Sequence, residues 1–179
     1  MPDIDAPVGN LELIRKFNGC VDEHGFVLIH VAIVSFTHKQ AEAHAMMFDG
    51  AAKKDRALMN AGIQLHLDTL NKMNDIFKRM WNVSMAQKYL NFRTFIMGIQ
   101  GNDDIFPNGV LYKGCSDTPW AFRGETGAQD SIIPATDNAF GLEYPRNSLT
   151  EYLFDLRSYR PYHHQKHVQD LRKQQIATK

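Results

Sequence analysis

Neither sign of charge prevails in this chain: 20 Lys and Arg stand against 20 Asp and Glu across 179 residues. That balance removes any global electrostatic case for nucleic acid or an anionic membrane as a partner. Cysteine is scarce, with only Cys20 and Cys115, which form no metal-type cluster and suit a reducing compartment. Long hydrophobic runs are missing too. The longest, Phe26 to Phe36, is broken by His30 and falls short of the ~20 apolar residues that span a bilayer. The opening Met-Pro-Asp-Ile-Asp lacks the basic-then-apolar build of a secretory leader. No internal repeat or low-complexity segment occurs. The expectation is a soluble, cytoplasmic, monomeric protein with neither nucleic acid nor membrane among its partners.

What is present is enough apolar residue, 44%, to build one sizeable core. Residues 1–10 are polar with two prolines and read as a frayed lead-in. Asn18-Gly19 then favours a turn. Phe26 to Val34 is rich in β-branched residues, and propensity alone predicts a strand. From Lys54 to Trp81 the positions Met59, Ile63, Leu67, Leu70, Met73, Phe77 and Met80 recur at helical spacing, which predicts one amphipathic helix with those side chains in the core. Asn82-Val83-Ser84 interrupts it, with Ser84 the expected N-cap of a helix over Met85–Ile99. Residues 101–119 read as loop, with a turn at Pro107-Asn108-Gly109. Further helices are expected over Ser131–Leu142, from Ser148 with Glu151 completing a capping box, and over His163–Lys179 as a polar surface helix.

The segment Phe92-Arg93-Thr94-Phe95-Ile96-Met97 embeds an arginine among apolar residues. A desolvated guanidinium needs an anion, and its planar fork suits a carboxylate. On the residues alone, Arg93 fits an anion pocket and a structural ion pair equally well. Phe26 and His30 are four residues apart, as are Tyr89 and Arg93, so on helices each pair sets an aromatic beside a polar group on one face. The loop Arg123-Gly124-Glu125-Thr126-Gly127-Ala128 offers backbone N–H groups and a hydroxyl where glycine permits close approach.

The run FRTFIMG, then FPNGVLYKG, then FRGETGAQDSIIPATDN resembles the core signature of the indoleamine 2,3-dioxygenase family, particularly its fungal and bacterial-type members. The resemblance extends from about Asn10 to about Leu171. It implies an all-α fold, read as a single partial domain over residues 1–179 and resembling the large domain of a heme dioxygenase. The segment Phe26–Val34 is therefore expected to be helical. A small N-terminal domain and a C-terminal region bearing the proximal histidine are expected to be missing from this chain. The cofactor implied is heme b, whose proximal ligand is not identified here. The substrates implied are L-tryptophan and dioxygen, and the reaction is cleavage of the indole C2–C3 bond to N-formylkynurenine in the kynurenine pathway. Carried over residue by residue, His30 is the catalytic-site histidine facing the indole N–H. Phe26, Tyr89, Arg93 and Thr126 would bind substrate, Arg93 through its carboxylate, and Gly127 and Ala128 would border the heme. The cluster His163, His164 and His167 reads as solvated surface and not as an iron site. The alternatives are a heme oxygen carrier of the same fold and a catalytically inactive fragment.

Overall fold

A computed structural model describes residues 11–124 and 126–177; the expected lead-in over residues 1–10, Glu125, residues 178–179 and the side chain of Ala128 lie outside that description. Among the described residues all regular secondary structure is helical: α1 Val21–Val34, α2 Thr37–Lys53, α3 Arg56–Lys78, α4 Met80–Val83, α5 Ala86–Ile96, α6 Ile132–Phe140, α7 Ser148–Leu156 and α8 Tyr162–Ala177. Two isolated antiparallel bridges, Gly98 with Arg123 and Val110 with Trp120, are the only β pairing described. The expectation of an all-α fold holds, and Phe26–Val34 is helix despite its β-branched composition. Leu28, Ile29 and Ala32 of that segment are buried, so packing overrides local propensity.

The described residues form two compact units. The first comprises residues 11–30 and 79–124 with Thr126; the second comprises residues 31–78 and 127–177. In the second, α2 and α3 form a helical hairpin. Lys54 closes α2 in the left-handed region, at φ 55°, and its N–H meets the carbonyls of Ala51 and Gly50. Asp55 then caps α3 by accepting from the Leu58 N–H at 3.0 Å. α6 and α8 enclose a small core of Ile132, Ala135, Val168 and Leu171, with Phe48 of α2 packed against it. The Asn138 amide donates to the Val168 carbonyl at 2.7 Å across the same pair of helices.

Four local expectations are corrected. The long helix breaks at Arg79 instead of running on to Trp81. Ser84 ends α4, and the N-cap position of α5 is Met85. The cap function passes to a distant side chain, because Asp22 accepts from the Met85 N–H at 2.7 Å. For α7 the capping box is Asn147 with Thr150, not Ser148 with Glu151; Asn147 is the stronger cap because its carboxamide oxygen reaches the Thr150 N–H while the Thr150 hydroxyl answers the Asn147 N–H. The predicted core stripe of α3 is also wrong in part. Met73 and Met80 are buried, but Met59, Ile63, Leu67, Leu70 and Phe77 are exposed. Gly62, His66 and Thr69 take the buried face together with Met73.

That buried face includes a titratable pair. The rings of His44 and His66 lie 5.1 Å apart and both pack on Phe140. Burial, reinforced by repulsion from His66 and His167, lowers the pKa of His44 to about 4, and burial lowers that of His66 as well. Both rings are neutral in the folded unit at neutral pH. Unfolding releases them to bind protons near the ordinary value of 6.5, so their contribution is complete above that pH and is lost as pH falls toward about 4. Thermal melts are expected to drop by at least about 4 °C between pH 7 and pH 5. The drop should shrink in His44→Leu; an unchanged pH slope in that variant would show that other groups carry the acid sensitivity.

Candidate functional site

The geometry begins with Gly25. A Cβ there would collide with the Val83 carbonyl oxygen and come within 2.8 Å of the Val83 Cβ. Only glycine lets α1 approach the end of α4 this closely. Two carboxylates fasten the approach. Asp22 caps α5 as described, and Glu23, buried, accepts from the N–H groups of Phe17, Asn18 and Gly19 at 2.6, 2.9 and 2.8 Å. Burial alone would raise the Glu23 pKa, but those three donors and the nearby Lys16 outweigh it and hold the group below its usual value. The segment it gathers reaches α5 twice: Phe17 stacks on Phe95 at 5.6 Å, and the Asn18 amide donates to the Asn91 carbonyl at 3.4 Å.

The consequence is an aromatic wall built from two helices. Phe26 of α1 lies 5.1 Å from Tyr89 and 5.6 Å from Phe92 of α5. Tyr89 and Phe92 meet edge to face at 5.2 Å and 86°, the arrangement favoured by aromatic quadrupoles. Phe92 is fully buried, whereas Phe26, His30, Tyr89 and Arg93 are half-buried. His30 packs on Phe26 at 4.5 Å between centroids, and its Nδ1 is 2.8 Å from the Phe26 carbonyl oxygen. A carbonyl only accepts, so Nδ1 carries the hydrogen, and in the neutral ring Nε2 is left as an acceptor. The Arg93 guanidinium sits over the Tyr89 ring, 5.8 Å from its centroid. Among the described residues no carboxylate pairs with Arg93. The structural ion pair that the sequence left open is therefore not among the contacts described.

The glycine-bearing loop is pinned to the end of α5. The Gly124 N–H donates to the Met97 carbonyl at 2.8 Å, and a Cβ at Gly124 would strike the Ile96 carbonyl. The amides of Ile99 and Gln100 both donate to the Phe122 carbonyl, at 3.0 and 3.1 Å. Thr126 follows this pinned loop in the first unit, while Gly127 and Ala128 open a single 3₁₀ turn in the second. The first unit thus brings Phe26, His30, Tyr89 and Arg93 together. Thr126 is half-buried and Gly127 exposed, while for Ala128 the structure gives a backbone position only.

Three contributors escaped the sequence reading: Phe92 as a wall residue, and Asp22 and Glu23 as the fasteners. An Asp-Glu pair two residues beyond the Asn18-Gly19 turn was the available signal. On α8, His163, His164 and His167 are all exposed; His164 Nδ1 is 2.9 Å from the Ser131 hydroxyl, and His163 packs on Tyr162. Among the described residues, no group of three or more metal-capable side chains occurs, and no helix is long and apolar enough to cross a membrane. A shallow cleft of about 40 Å³ lies in the second unit, beside Pro134, Asp137, Tyr144 and Arg157. There Asp137 accepts from the Tyr144 hydroxyl at 2.9 Å and pairs with Arg157 at 3.6 Å.

Comparison with known proteins gives the family. The family model for indoleamine 2,3-dioxygenase matches residues 3–178. This chain belongs to the indoleamine 2,3-dioxygenase family. It is 27% identical to human indoleamine 2,3-dioxygenase 2 over 177 residues, covering 95% of this chain and 42% of that relative. It is 26% identical to rat indoleamine 2,3-dioxygenase 1 over 165 residues, 90% of this chain and 40% of the relative. A myoglobin from the abalone Haliotis madaka is 25% identical over 164 residues, 91% of this chain and 43% of the myoglobin. The chain spans about two-fifths of the length of these relatives.

If the Gly25 contact sets the wall, Gly25→Ala must move one helix. Overpacking of this kind costs about 1–3 kcal/mol. Urea titration should show a lower midpoint for Gly25→Ala, and an unchanged midpoint would show that α1 has slack against Val83.

Proposed function

We propose that this chain supplies the substrate-facing wall of a heme-dependent dioxygenase that cleaves the indole C2–C3 bond of L-tryptophan to N-formylkynurenine, the first oxidative step of the kynurenine pathway, and that it does so as one partial domain of the family fold. One observation carries the reading: a half-buried guanidinium, without a carboxylate partner among the described residues, stands over the edge of an aromatic wall. That pairing of a cation with flat apolar surface matches an aromatic amino acid, whose carboxylate and ring need different neighbours.

In this reading Phe26 and Tyr89 hold the indole ring, and Arg93 takes the substrate carboxylate in a charge-assisted bond. The His30 Nε2, left as an acceptor by the Nδ1 bond to Phe26, accepts the indole N–H and orients the ring. The Thr126 hydroxyl meets the polar end of the substrate, and the backbone at Gly127 and Ala128 borders the heme edge. The half-buried, uncharged rings of Phe26 and Tyr89, backed by the buried Phe92, fit the flat apolar face of heme b. Heme, when bound, supplies the activation of dioxygen. The chain's own residues bind, orient and exclude water. No proximal ligand is identified among the described residues.

The abalone myoglobins match at similar identity, which makes oxygen carriage the second reading. Arg93 and the free His30 acceptor favour substrate handling, because storage of dioxygen needs no carboxylate site. A kynurenine assay on a heme-loaded form, completed where necessary with the family's remaining segments, separates the two.

On the same form, Arg93→Ala should lower kcat/KM for L-tryptophan by roughly 10- to 100-fold, the equivalent of about 1.5–3 kcal/mol for a charged hydrogen bond. Arg93→Lys should recover part of the loss, since an ammonium lacks the two-pronged fork. An indole substrate without the carboxylate should be nearly indifferent to both changes. Equal losses for both substrates, with a lower Tm, would make Arg93 a structural residue.

A further inference from the structure

The seam of the α2–α3 hairpin holds polar side chains that play no part in the aromatic wall. Gln40, His44 and His66 are 2%, 1% and 4% exposed, although large apolar residues of α3 stand outside the seam. In a buried interior each polar atom needs a partner, and an orphan costs free energy that an apolar side chain in its place would not. Four such orphans occur here: His44 Nδ1, both ring nitrogens of His66, and Gln40 Oε1, none of which has a hydrogen-bond partner among the described residues. Gln40 and His44 are one turn apart on α2 and share a face. The rings of His44 and His66 meet across the hairpin with centroids 5.1 Å apart.

We infer that His44, His66 and Gln40 form a buried site for a divalent transition-metal ion of the zinc, nickel or copper kind. Zinc bonds imidazole nitrogen at about 2.0–2.1 Å, so two rings on one tetrahedral ion have centroids about 5 Å apart. That is the separation of His44 from His66. Thr136 of α6 supplies an outer contact, its hydroxyl oxygen lying 3.5 Å from His44 Nε2. With the His44 hydrogen on Nε2 and directed at that oxygen, Nδ1 presents its lone pair to the ion, the usual division between the two nitrogens of a metal-bound imidazole. His66 offers either nitrogen. The Gln40 carboxamide oxygen is the third donor, and a tetrahedral ion completes its shell with water. Imidazole binds metal in its neutral form, and burial keeps both rings in that form at neutral pH. Two imidazoles and one carboxamide are a neutral set, distinct from a cluster of three His, Cys, Asp or Glu side chains, of which the described residues hold none. Without a carboxylate, the set selects metals that prefer nitrogen over calcium and magnesium.

The site is independent of the tryptophan reading, and its test needs no heme. Equilibrium dialysis of the 179-residue chain against zinc should give one tightly held equivalent, and cobalt(II) in its place should show the intense visible bands of a tetrahedral ion. His44→Leu and His66→Leu should each weaken zinc binding by about 100-fold or more, and Thr136→Val by about 10-fold. The exposed His163 and His167 of α8, four residues apart, are the competing surface site; the double variant His163→Ala with His167→Ala should bind zinc as before. In the unchanged chain, one equivalent of zinc should shift the ring C–H resonances of His44 and His66 and leave that of His163 in place. That measurement decides the assignment even where a core substitution disturbs the hairpin. Absence of a stoichiometric zinc ion, binding by both leucine variants equal to that of the unchanged chain, or loss of binding in the alanine double variant would each overturn the inference.

Discussion

Everything in the candidate site depends on how closely α1 approaches the segment joining α4 to α5. The approach is permitted by one missing methyl group, at Gly25, which lies against the Val83 backbone. A larger residue there would hold the helices apart, and the Phe26 ring would no longer reach Tyr89 and Phe92 at 5.1 and 5.6 Å. The same contact sets His30, one helical turn further along α1, beside the wall. A steric constraint with no chemistry of its own therefore fixes the position of the groups that have chemistry.

Electrostatics fastens what sterics permits. Asp22 and Glu23 are adjacent on α1 yet serve different segments, one capping α5 and the other gathering the backbone of residues 17–19. A carboxylate that accepts three backbone N–H groups is held in its charged form despite burial, because each donor stabilises the anion directly. At the other end of α5, the Gly124 and Phe122 backbone bonds tie the glycine-bearing loop to the helix that carries Arg93. The wall is thus braced at both ends of α5, while the Arg93 guanidinium rests on Tyr89 and meets no described carboxylate.

Each half of the wall was legible in the sequence because its signal is local: the four-residue spacings of Phe26 with His30 and of Tyr89 with Arg93 place each pair on one face once the segments are helical. The meeting of the two halves was implied only by the family resemblance. Periodicity alone did not make Phe26–Val34 helical, since its β-branched residues argue for a strand; the family resemblance carried that assignment. What stayed hidden depends on tertiary choices. Ser84 has the chemistry of a cap, but Asp22, 63 residues away in sequence, takes the role. On α3 the apolar repeat correctly marked an amphipathic helix and wrongly named its buried face, because the close hairpin with α2 selects Gly62 and Thr69 over leucine and isoleucine.

The central claim is that α1 and α5 together form one surface that binds an indole amino acid, with the His30 acceptor aimed at the ring nitrogen. It is tested most directly by the affinity of the heme-loaded protein for L-tryptophan and for its N1-methyl analogue, with and without His30→Ala. The account predicts that His30→Ala weakens L-tryptophan binding roughly 3- to 10-fold, as expected for loss of one neutral hydrogen bond, and leaves the methylated analogue unchanged. An equal loss for both ligands, or none for either, would contradict it.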